Sequence, residues 1–219
     1  MIGDKIIIKP IHYKAANGIL RIMLQEIKDS KSRYAISVAG ESGSGKSETA
    51  QAIAEKLLER GIKSTIFQQD DYFVYPPKTN DQTRRADINW VGISEVRLKQ
   101  LDDHLRLAVE GVNEIKKPLV IYQEDRISEE TISLDGIKVI IAEGTYTTKL
   151  KNVHARVFID LTYMETKMSR LERARERQDD FIESVLKIEH CIISAHKDIA
   201  DIIITPDFEA IKQKNNNLS

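Results

Sequence analysis

The 219-residue sequence predicts an α/β fold, in which a doubly wound, mainly parallel sheet carries helices on both faces. Apolar runs of strand length alternate along the chain with segments whose apolar residues recur at helical spacing. Most of these runs are largely apolar, which is typical of strands buried on both faces of a sheet. The predicted strands are residues 34–39, 64–68, 119–122, 138–142, 155–160 and 202–204.

Helices are predicted between these strands, and a long polar segment is predicted to be a loop. The loop, residues 71–92, contains two consecutive prolines, and loops of this length in compact domains are usually functional or mobile. The predicted helices are residues 46–60, a segment from the cap Ser94 to Gly111, a segment opened by a capping box of Thr162 with Glu165, and a segment whose apolar face is Phe181, Val185 and Ile188.

The first 32 residues are predicted to be an N-terminal extension packed on the core. Residues 5–9 have the pattern of a short strand, and the following apolar residues, from Ala16 to Ile27, recur at helical spacing. Residues 33–212 then form the main domain, and the polar tail, residues 213–219, is predicted to fray.

Composition excludes several classes of protein. Lys and Arg total 33 and Asp and Glu total 34, so the formal charge of −1 gives no global field for nucleic acid or an anionic membrane. Cys191 is the only cysteine, which excludes an internal disulfide framework. No apolar run approaches the roughly 18–20 residues of a spanning helix. We expect a cytoplasmic protein with a small-molecule substrate and no nucleic acid or membrane partner; a homo-oligomer is left open.

A glycine-rich turn between the first main-domain strand and the helix after it matches G-x-x-x-x-G-K-S, the P-loop pattern. Few Cβ atoms allow backbone N–H groups to converge on a polyphosphate, and the helix N-terminus favours negative charge. Lys46 supplies a mobile cation and the Ser47 hydroxyl a ligand for Mg²⁺. The sequence predicts a nucleoside triphosphate site, and its candidate residues are Gly40, Ser42, Gly43, Ser44, Gly45, Lys46, Ser47 and Glu48.

Acidic residues follow two of the predicted strands. Asp70 and Glu143 lie at strand ends that, in a parallel sheet, share an edge with the P-loop. One carboxylate there can help to hold Mg²⁺ and another can accept a proton from an attacking hydroxyl. Asp71 and Asp160 are rivals for these roles, and strand-end acids that only cap turns remain an alternative.

Three arginines share one side of the helix predicted after Thr162. Arg170, Arg173 and Arg177 are three and four residues apart, and like charges so placed repel each other unless phosphate oxygens approach them. A solvated helix face, with Glu172 and Glu176 interleaved, is the alternative.

With these motifs in order, the chain resembles the uridine kinase and phosphoribulokinase-like family of P-loop kinases over residues 33–205. The segments that carry the resemblance are the P-loop, Gln69-Asp70-Asp71-Tyr72-Phe73, Pro118, Glu129-Glu130-Thr131, Glu143-Gly144, the arginine-rich stretch ending near residues 183–186, and residues 197–201. The resemblance implies the P-loop NTPase kinase fold.

The resemblance also implies roles for individual residues. Ser47, Asp70 and Glu143 would surround Mg²⁺, and Asp70 would activate the acceptor hydroxyl, with Lys46 on the phosphates. Arg173 and Arg177 would close over the transferring phosphate as part of a lid. Arg170 and Lys197 are further candidates for nucleotide binding, and Tyr72, Phe73, Asp87, Tyr122 and Asp125 are candidates for the acceptor pocket.

The sequence departs from the family at acceptor and lid positions. Asp125 aligns with a histidine that uridine kinases place against the base, and their pocket tyrosine aligns near Val120. The lid lacks the Glu-Arg-Gly-Arg pattern of the family and reads Glu176-Arg177-Gln178-Asp179 instead.

These features predict an ATP- and Mg²⁺-dependent kinase that phosphorylates a hydroxyl group of a small metabolite, with a nucleoside or sugar-like acceptor. A nucleotide or adenylylsulfate-type kinase is the alternative among enzymes. A nucleotide-dependent switch protein is the alternative from another class, although the Asn-Lys-x-Asp motif of GTPase switches is absent.

Overall fold

A computed structural model describes residues 1–3, 6–173 and 179–213 of the chain. The helices of the described part are α1 Pro10–Asp29, α2 Lys46–Leu58, α3 Pro77–Ala86, α4 Leu98–Val109, α5 Lys167–Arg173 and α6 Asp180–Ile193. Its strands are β1 Tyr34–Gly40, β2 Ser64–Gln68, β3 Glu114–Ile121, β4 Arg126–Ser133, β5 Val139–Glu143, β6 Ala155–Ile159, β7 Ile202–Ile204 and β8 Ala210–Lys212.

The main sheet of the described part has the strand order β2-β5-β1-β6-β7-β8. Its pairs are parallel except for the last, in which β8 runs antiparallel to β7. β1 lies between β5 and β6, and every residue of β1 and β5 is buried, as the uninterrupted apolar runs predict. The doubly wound, mainly parallel sheet is therefore confirmed, and it brings the carboxyl ends of β1, β2 and β5 to one edge.

Helices cover both faces of this sheet. α1 and α2 pack on one face, where Ile19, Met23 and Ile53 join the inward side chains of the strands in one core cluster. α4 packs on the opposite face through Leu101 and Leu105, in a second cluster. The predicted N-terminal helix is confirmed, and it contributes to the main core rather than standing apart from it.

The strand predicted at residues 5–9 is wrong for the described residues 6–9, which have no strand conformation. β pairing near the N-terminus instead involves Ile2, which forms an isolated parallel bridge with Ile121. Of this apolar run, Ile8 is partly buried against the α1–α2 core, whereas Ile6 and Ile7 are exposed.

The long loop predicted at residues 71–92 contains the helix α3, so that prediction is wrong. Pro77 is the first residue of α3, where its fixed φ and missing N–H are tolerated. The Asp125 carboxylate accepts the backbone N–H groups of Lys78 and Thr79, at 2.6 and 3.1 Å. The helix was missed because it lacks an apolar stripe and its capping group comes from another part of the chain.

The run at residues 119–122 was predicted to join the parallel sheet, which is also wrong. Most of it belongs to β3, which pairs with the antiparallel strand β4 in a separate two-stranded sheet. β4 and β8 were not predicted. Asp125 occupies the turn between β3 and β4 with a φ of 47°, a left-handed conformation that aspartate tolerates better than most residues.

The cap predicted at Ser94 is likewise not found. Ser94 lies in a short 3-10 turn, Ile93–Glu95, and α4 begins four residues later after Arg97, which makes no side-chain capping bond. None of the helices in the described ranges is long and apolar enough to cross a membrane.

Candidate active site

The P-loop connects the end of β1 to the start of α2, as its sequence context predicts. Gly45 precedes α2 with a φ of +90°, a backbone conformation that residues other than glycine rarely adopt. The Lys46 ammonium folds back and donates to the Glu41 carbonyl oxygen at 2.9 Å. A cavity of about 610 Å³ opens above this loop, and Ser42, Gly43, Lys46 and Ser47 line it. We call it the main cavity.

Two carboxylates face the same cavity from the neighbouring strand ends. Asp70 and Glu143 both line it, and the Ser47 hydroxyl donates to Glu143 Oε1 at 3.2 Å. Glu143 is only 4% exposed. Burial, and then the nearby Asp70 charge, raise the pKa of Glu143 to about 7, while Lys46 and the Ser47 hydrogen bond act in the opposite direction. A buried carboxylate beside a second, partly exposed one favours a bound cation.

Asp70 and Asp71 point to different parts of the molecule. They lie in a 3-10 turn, Gln69–Tyr72, rather than on the strand itself. Asp70 lines the main cavity, whereas Asp71 is buried and pairs with the Lys117 ammonium at 2.7 Å. Asp71 also accepts the backbone N–H of Val120 at 3.0 Å, so it fastens the β3–β4 hairpin to the sheet. The other rival, Asp160, pairs with Lys197 at 2.5 Å and does not line the main cavity.

Gly144 allows this turn to pack against the end of β5. A Cβ atom on Gly144 would lie 2.2 Å from the Cβ of Gln69, so no larger residue fits without a shift. Gln69 is fixed in turn, because its side-chain oxygen accepts the backbone N–H of Tyr146 at 2.7 Å. The Glu143-Gly144 pair therefore sets both a carboxylate of the site and the position of the turn that carries Asp70.

The P-loop also anchors the segment that leads into α5 and the helix α6. The Glu41 carboxylate accepts the backbone N–H of Tyr163 at 2.6 Å and contacts His190 Nδ1 at 2.6 Å. The Thr166 hydroxyl donates to the Ser42 carbonyl oxygen at 2.7 Å. Glu41, the residue after Gly40 in the motif, thus holds α6 beside the phosphate-binding loop. The P-loop sequence pattern does not indicate this role.

Arg170 is the predicted lid arginine that the structure brings to the site. It lines the main cavity, and its guanidinium donates to the Tyr163 carbonyl and to the Thr166 hydroxyl. Arg173 is the last residue of α5, and its side chain lies outside the described part of the chain, as does the whole of Arg177. Their proposed action on the transferring phosphate remains a prediction.

The far end of the main cavity is built from α3, α6 and the β3–β4 turn. Its residues include Phe73, Lys78, Asn80, Asp81, Arg84, Arg85, Tyr122, Asp179, Ile182 and Glu189. We call this the acceptor end.

The two arginines of the acceptor end are paired with carboxylates, and the Lys78 ammonium donates to the Gln123 carbonyl oxygen. Arg84 donates to Glu95 at 2.6 Å and to Glu189 at 3.1 Å, and both carboxylates are shielded from solvent. Arg85 pairs with Asp81 at 2.9 Å and with Asp179 at 3.1 Å. The lining of the acceptor end is therefore polar and rich in hydrogen-bonding groups but has little net charge.

Several predicted acceptor residues lie away from the cavity. Tyr72 is fully buried in the core, where its hydroxyl contacts His104 Nδ1 at 2.9 Å. Asp125 caps α3, and Asp87 is exposed and accepts the backbone N–H of Asn89 at 3.0 Å. None of these three side chains lines the main cavity. Phe73 and Tyr122 do line it.

Some predicted nucleotide residues also lie elsewhere. Lys197, paired with Asp160, lines neither of the two cavities beside the P-loop. Gly40 is the buried last residue of β1. Ser44, Gly45 and Glu48 face the second of these cavities, on the other side of the loop.

Sequence reasoning missed Arg84 and Glu189, which lie on different helices and meet only in the folded protein. A signal for α3 did exist, since Pro77 fits a helix start and Arg84 and Arg85 fit a last turn. No comparable signal marked Glu189, because the sequence does not distinguish an acidic residue that faces a cavity from one that lies on the solvent side of an amphipathic helix.

Comparisons with known proteins agree with this geometry. The model of the "Phosphoribulokinase / Uridine kinase family" matches residues 35–208. The chain is 28% identical over 187 residues to a uridine kinase of Mycoplasma pneumoniae, which covers 80% of this chain and 86% of that protein. It is 27% identical over 199 residues to the bifunctional alpha-galactosidase/sucrose kinase AgaSK of Mediterraneibacter gnavus, a match over 84% of this chain. The chain spans only 21% of the length of that bifunctional protein.

A solved structure supports the fold alone. The D-glycerate 3-kinase of Cryptococcus neoformans var. grubii superposes with a TM-score of 0.58 at 11% sequence identity. The superposition covers 94% of this chain and 100% of that one.

Proposed function

The chain belongs to the phosphoribulokinase/uridine kinase family of P-loop kinases, and from this membership we propose that it transfers the γ-phosphate of Mg²⁺-bound ATP to a hydroxyl group of a neutral, nucleoside or sugar-like metabolite. The observation that carries the proposal is the meeting of Lys46, Ser47, Asp70 and Glu143 in one cavity that continues to a separate polar end. One end is suited to a triphosphate and the other to an acceptor.

The residues present fit a magnesium ion. Mg²⁺ prefers a few protein oxygens and completes its shell with water and phosphate oxygens. Ser47, Asp70 and Glu143 supply such oxygens, and the pKa of Glu143 is raised by its burial and then by the nearby Asp70 charge. Among the described residues, no group of three or more His, Cys, Asp or Glu could hold a metal. When bound, the ion would neutralise charge on the phosphate oxygens.

The protein groups have separate tasks in this mechanism. Backbone N–H groups of the P-loop and the Lys46 ammonium bind and orient the phosphates, since phosphoryl transfer depends chiefly on positioning and on charge stabilisation. Asp70 accepts the proton of the acceptor hydroxyl. The segment anchored by Glu41 and Thr166 brings Arg170 to the cavity. Arg173 and Arg177 complete the charge stabilisation from the lid.

The pairing of charges at the acceptor end favours a neutral acceptor. A nucleoside monophosphate would need several unpaired cations, whereas two of the three basic side chains of the acceptor end, Arg84 and Arg85, are each held between two carboxylates. Paired carboxylates and guanidinium groups present both acceptors and donors, which suit hydroxyl groups that also donate and accept. This balance supports a nucleoside or sugar over the nucleotide and adenylylsulfate alternatives.

The test is ADP release in the presence of Mg²⁺ and ATP with single acceptors: uridine, cytidine, sucrose, fructose, uridine monophosphate and adenylylsulfate. We expect release to depend on a neutral acceptor and to fall severely in Lys46→Ala. Lys99→Ala is the matched control, because Lys99 is an exposed lysine of α4. Activity with only the two anionic acceptors would contradict the proposed substrate class. ADP release without any acceptor, unchanged in Lys46→Ala, would contradict the proposed function.

A further inference from the structure

Two neighbouring residues of α6 hold this helix against different parts of the site. His190 contacts the P-loop through the Glu41 carboxylate, and Glu189 accepts a hydrogen bond from Arg84 of α3 at 3.1 Å. Consecutive residues of an α-helix project about 100° apart around its axis, so the two side chains leave α6 in different directions. The second half of α6 is therefore fixed to the phosphate-binding loop on one side and to the acceptor end on the other.

The contact at the P-loop is short and largely shielded from water. His190 Nδ1 lies 2.6 Å from Glu41 Oε1, and because a carboxylate accepts hydrogen bonds, the imidazole is the donor. The Glu41 side chain is only 6% exposed, and its Oε2 atom accepts the backbone N–H of Tyr163 at 2.6 Å. The His190 ring also packs against that of Tyr163, with centroids 5.7 Å apart. Hydrogen bonds to a charged group are stronger than those between neutral groups, so this contact resists displacement of α6.

The backbone of Glu41 belongs to the phosphate end of the main cavity. Its carbonyl oxygen accepts the Lys46 ammonium at 2.9 Å and the backbone N–H of Ser44 at 3.2 Å. The P-loop pattern leaves this position open, so the motif itself does not require an acid there. One residue thus joins the phosphate-binding loop to the helix whose Ile182 and Glu189 line the acceptor end.

We propose that Glu41 and His190 form a positioning pair, which sets the distance between the transferring phosphate and the acceptor and so directs the phosphate to the acceptor rather than to water. The inference rests on the proposed function for the reaction itself. Neither side chain lines the main cavity, so each acts through a neighbour. Glu41 acts through the loop that it belongs to, and His190 acts through Glu189.

Transfer to the acceptor and transfer to water compete for the same phosphoryl group. In both reactions the bond from the γ-phosphorus to the oxygen that bridges it to ADP breaks, ADP keeps the electron pair, and phosphorus forms a bond to the attacking oxygen. The proton of the attacking hydroxyl or water passes to Asp70, the proposed base. A misplacement of about 1 Å can cost about 100-fold in rate. A shift of α6 therefore slows attack by the acceptor hydroxyl, whereas water does not depend on the acceptor end.

The test replaces His190, because this residue lies outside the P-loop. His190→Leu and His190→Ala both remove the hydrogen-bond donor, and both introduce residues that favour a helix. His190→Asn is the conservative variant, since its amide nitrogen is as many bonds from the backbone as Nδ1 and can donate to Glu41. Cys191→Leu is the matched control, because Cys191 is an exposed neighbour on the same helix.

The measurement follows the fate of the γ-phosphate. Each variant receives Mg²⁺, ATP labelled at the γ-phosphate, and the neutral acceptor of the panel above that the unaltered protein uses best. Labelled inorganic phosphate and labelled acceptor are separated and counted, which gives transfer to water and transfer to the acceptor in one reaction. Calorimetric titration with ADP and Mg²⁺ measures nucleotide affinity separately.

The two variants without a donor should lose transfer to the acceptor but keep nucleotide binding. In His190→Leu and His190→Ala, kcat for transfer to the acceptor should fall by about 10- to 100-fold, acceptor KM should rise, and the share of phosphate passed to water should rise several-fold. ADP affinity should stay within about twofold, because the Tyr163 N–H and the backbone contacts of Glu41 remain. His190→Asn should recover transfer to within about threefold of the unaltered protein, and Cys191→Leu should match the unaltered protein.

Several outcomes would overturn the inference and leave the proposed function standing. One is a normal partition between acceptor and water in His190→Leu or His190→Ala, with folding checked by thermal melting. Others are an equal loss in His190→Asn, which would mark a packing role for the imidazole, a parallel loss of ADP affinity, and unfolding of both variants without a donor. If the unaltered protein transfers the label to none of the acceptors, the proposed function and this inference both fail.

Discussion

The two ends of the main cavity are built in different ways. The nucleotide end comes from one continuous loop and from the ends of adjacent buried strands, so backbone geometry does most of the positioning. The acceptor end comes from α3, α6 and a hairpin turn that are far apart in sequence and are joined by side-chain ion pairs. Substitutions should therefore affect chemistry at the first end and both folding and acceptor affinity at the second.

The largest expected effect comes from Asp70 and Asp71, neighbouring residues of which one is expected to serve the reaction and the other the stability of the fold. Asp70→Asn should lower kcat by roughly 10²–10⁴-fold, the usual contribution of a positioned general base, with little change in stability. Asp71→Asn should instead lower the free energy of unfolding by about 2–4 kcal/mol, because it breaks the buried ion pair of Asp71 with Lys117. The loss is limited because the Lys117 ammonium still pairs with Glu130. Measurement of kcat at saturating substrates and of urea unfolding for both variants checks the assignment. A crippled kcat in folded Asp71→Asn, with a mild effect in Asp70→Asn, would contradict it.

This pair also shows why the nucleotide end could be predicted from sequence. The P-loop, Asp70 and Glu143 are each marked by local signals, a motif or the end of an apolar run, and the parallel sheet alone brings them together. Alternation of side chains along a strand cannot separate Asp70 from Asp71, because both residues lie in a 3-10 turn. The resemblance implies the role of Asp70, which stays a prediction, and the structure places Asp70 in the lining of the main cavity.

The acceptor end could not be predicted in the same way. α3 has no apolar stripe and takes its cap from Asp125, 47 residues from the Lys78 amide that it holds. β3 is an apolar run, but its partner β4 lies outside the main sheet and carries few apolar residues. Pairing of a strand and the placement of a polar helix both depend on contacts between distant segments, which a single sequence does not display.

The second prediction tests whether the acceptor end couples to folding. Arg84→Met should lower the free energy of unfolding by about 3 kcal/mol, since it leaves the fully buried Glu95 carboxylate without its cation. Glu95→Gln should cost less in the Arg84→Met background than in the unaltered protein, giving a coupling energy of about 1–3 kcal/mol. ADP affinity should be unchanged, and acceptor KM should rise.

Arg106→Met is the control for this experiment. Arg106 forms an exposed pair with Glu110 on α4, so its loss should cost less than about 1 kcal/mol. Equal effects of the two arginine substitutions on unfolding would mean that the acceptor end is not held together by its buried ion pairs.

The third prediction separates capping from substrate contact. Asp125→Gly removes the cap of α3 but accommodates the positive φ, so the free energy of unfolding should fall by about 1 kcal/mol. Asp87→Ala should change stability by less than about 0.5 kcal/mol, because Asp87 is an exposed residue. Asp87→Ala should not alter acceptor KM more than about twofold. Asp125→Gly should alter acceptor KM more than about twofold only through a displacement of α3. A large rise in acceptor KM in Asp87→Ala would favour the role that the family resemblance implies.

The smallest expected effect concerns the two tyrosines that sequence reasoning placed together in the acceptor pocket. Tyr72→Phe removes one buried hydroxyl from its contact with His104 at 2.9 Å, which should cost about 0.5–1 kcal/mol of stability. Acceptor KM should not change, because the ring of Tyr72 is fully buried and does not line the cavity. Tyr122→Ala should do the reverse: Tyr122 lines the acceptor end, so KM should rise several-fold, by about the cost of losing one aromatic contact. Thermal melting and acceptor titrations of both variants check this, and a rise in KM for Tyr72→Phe alone would place the acceptor on the other side of the 3-10 turn.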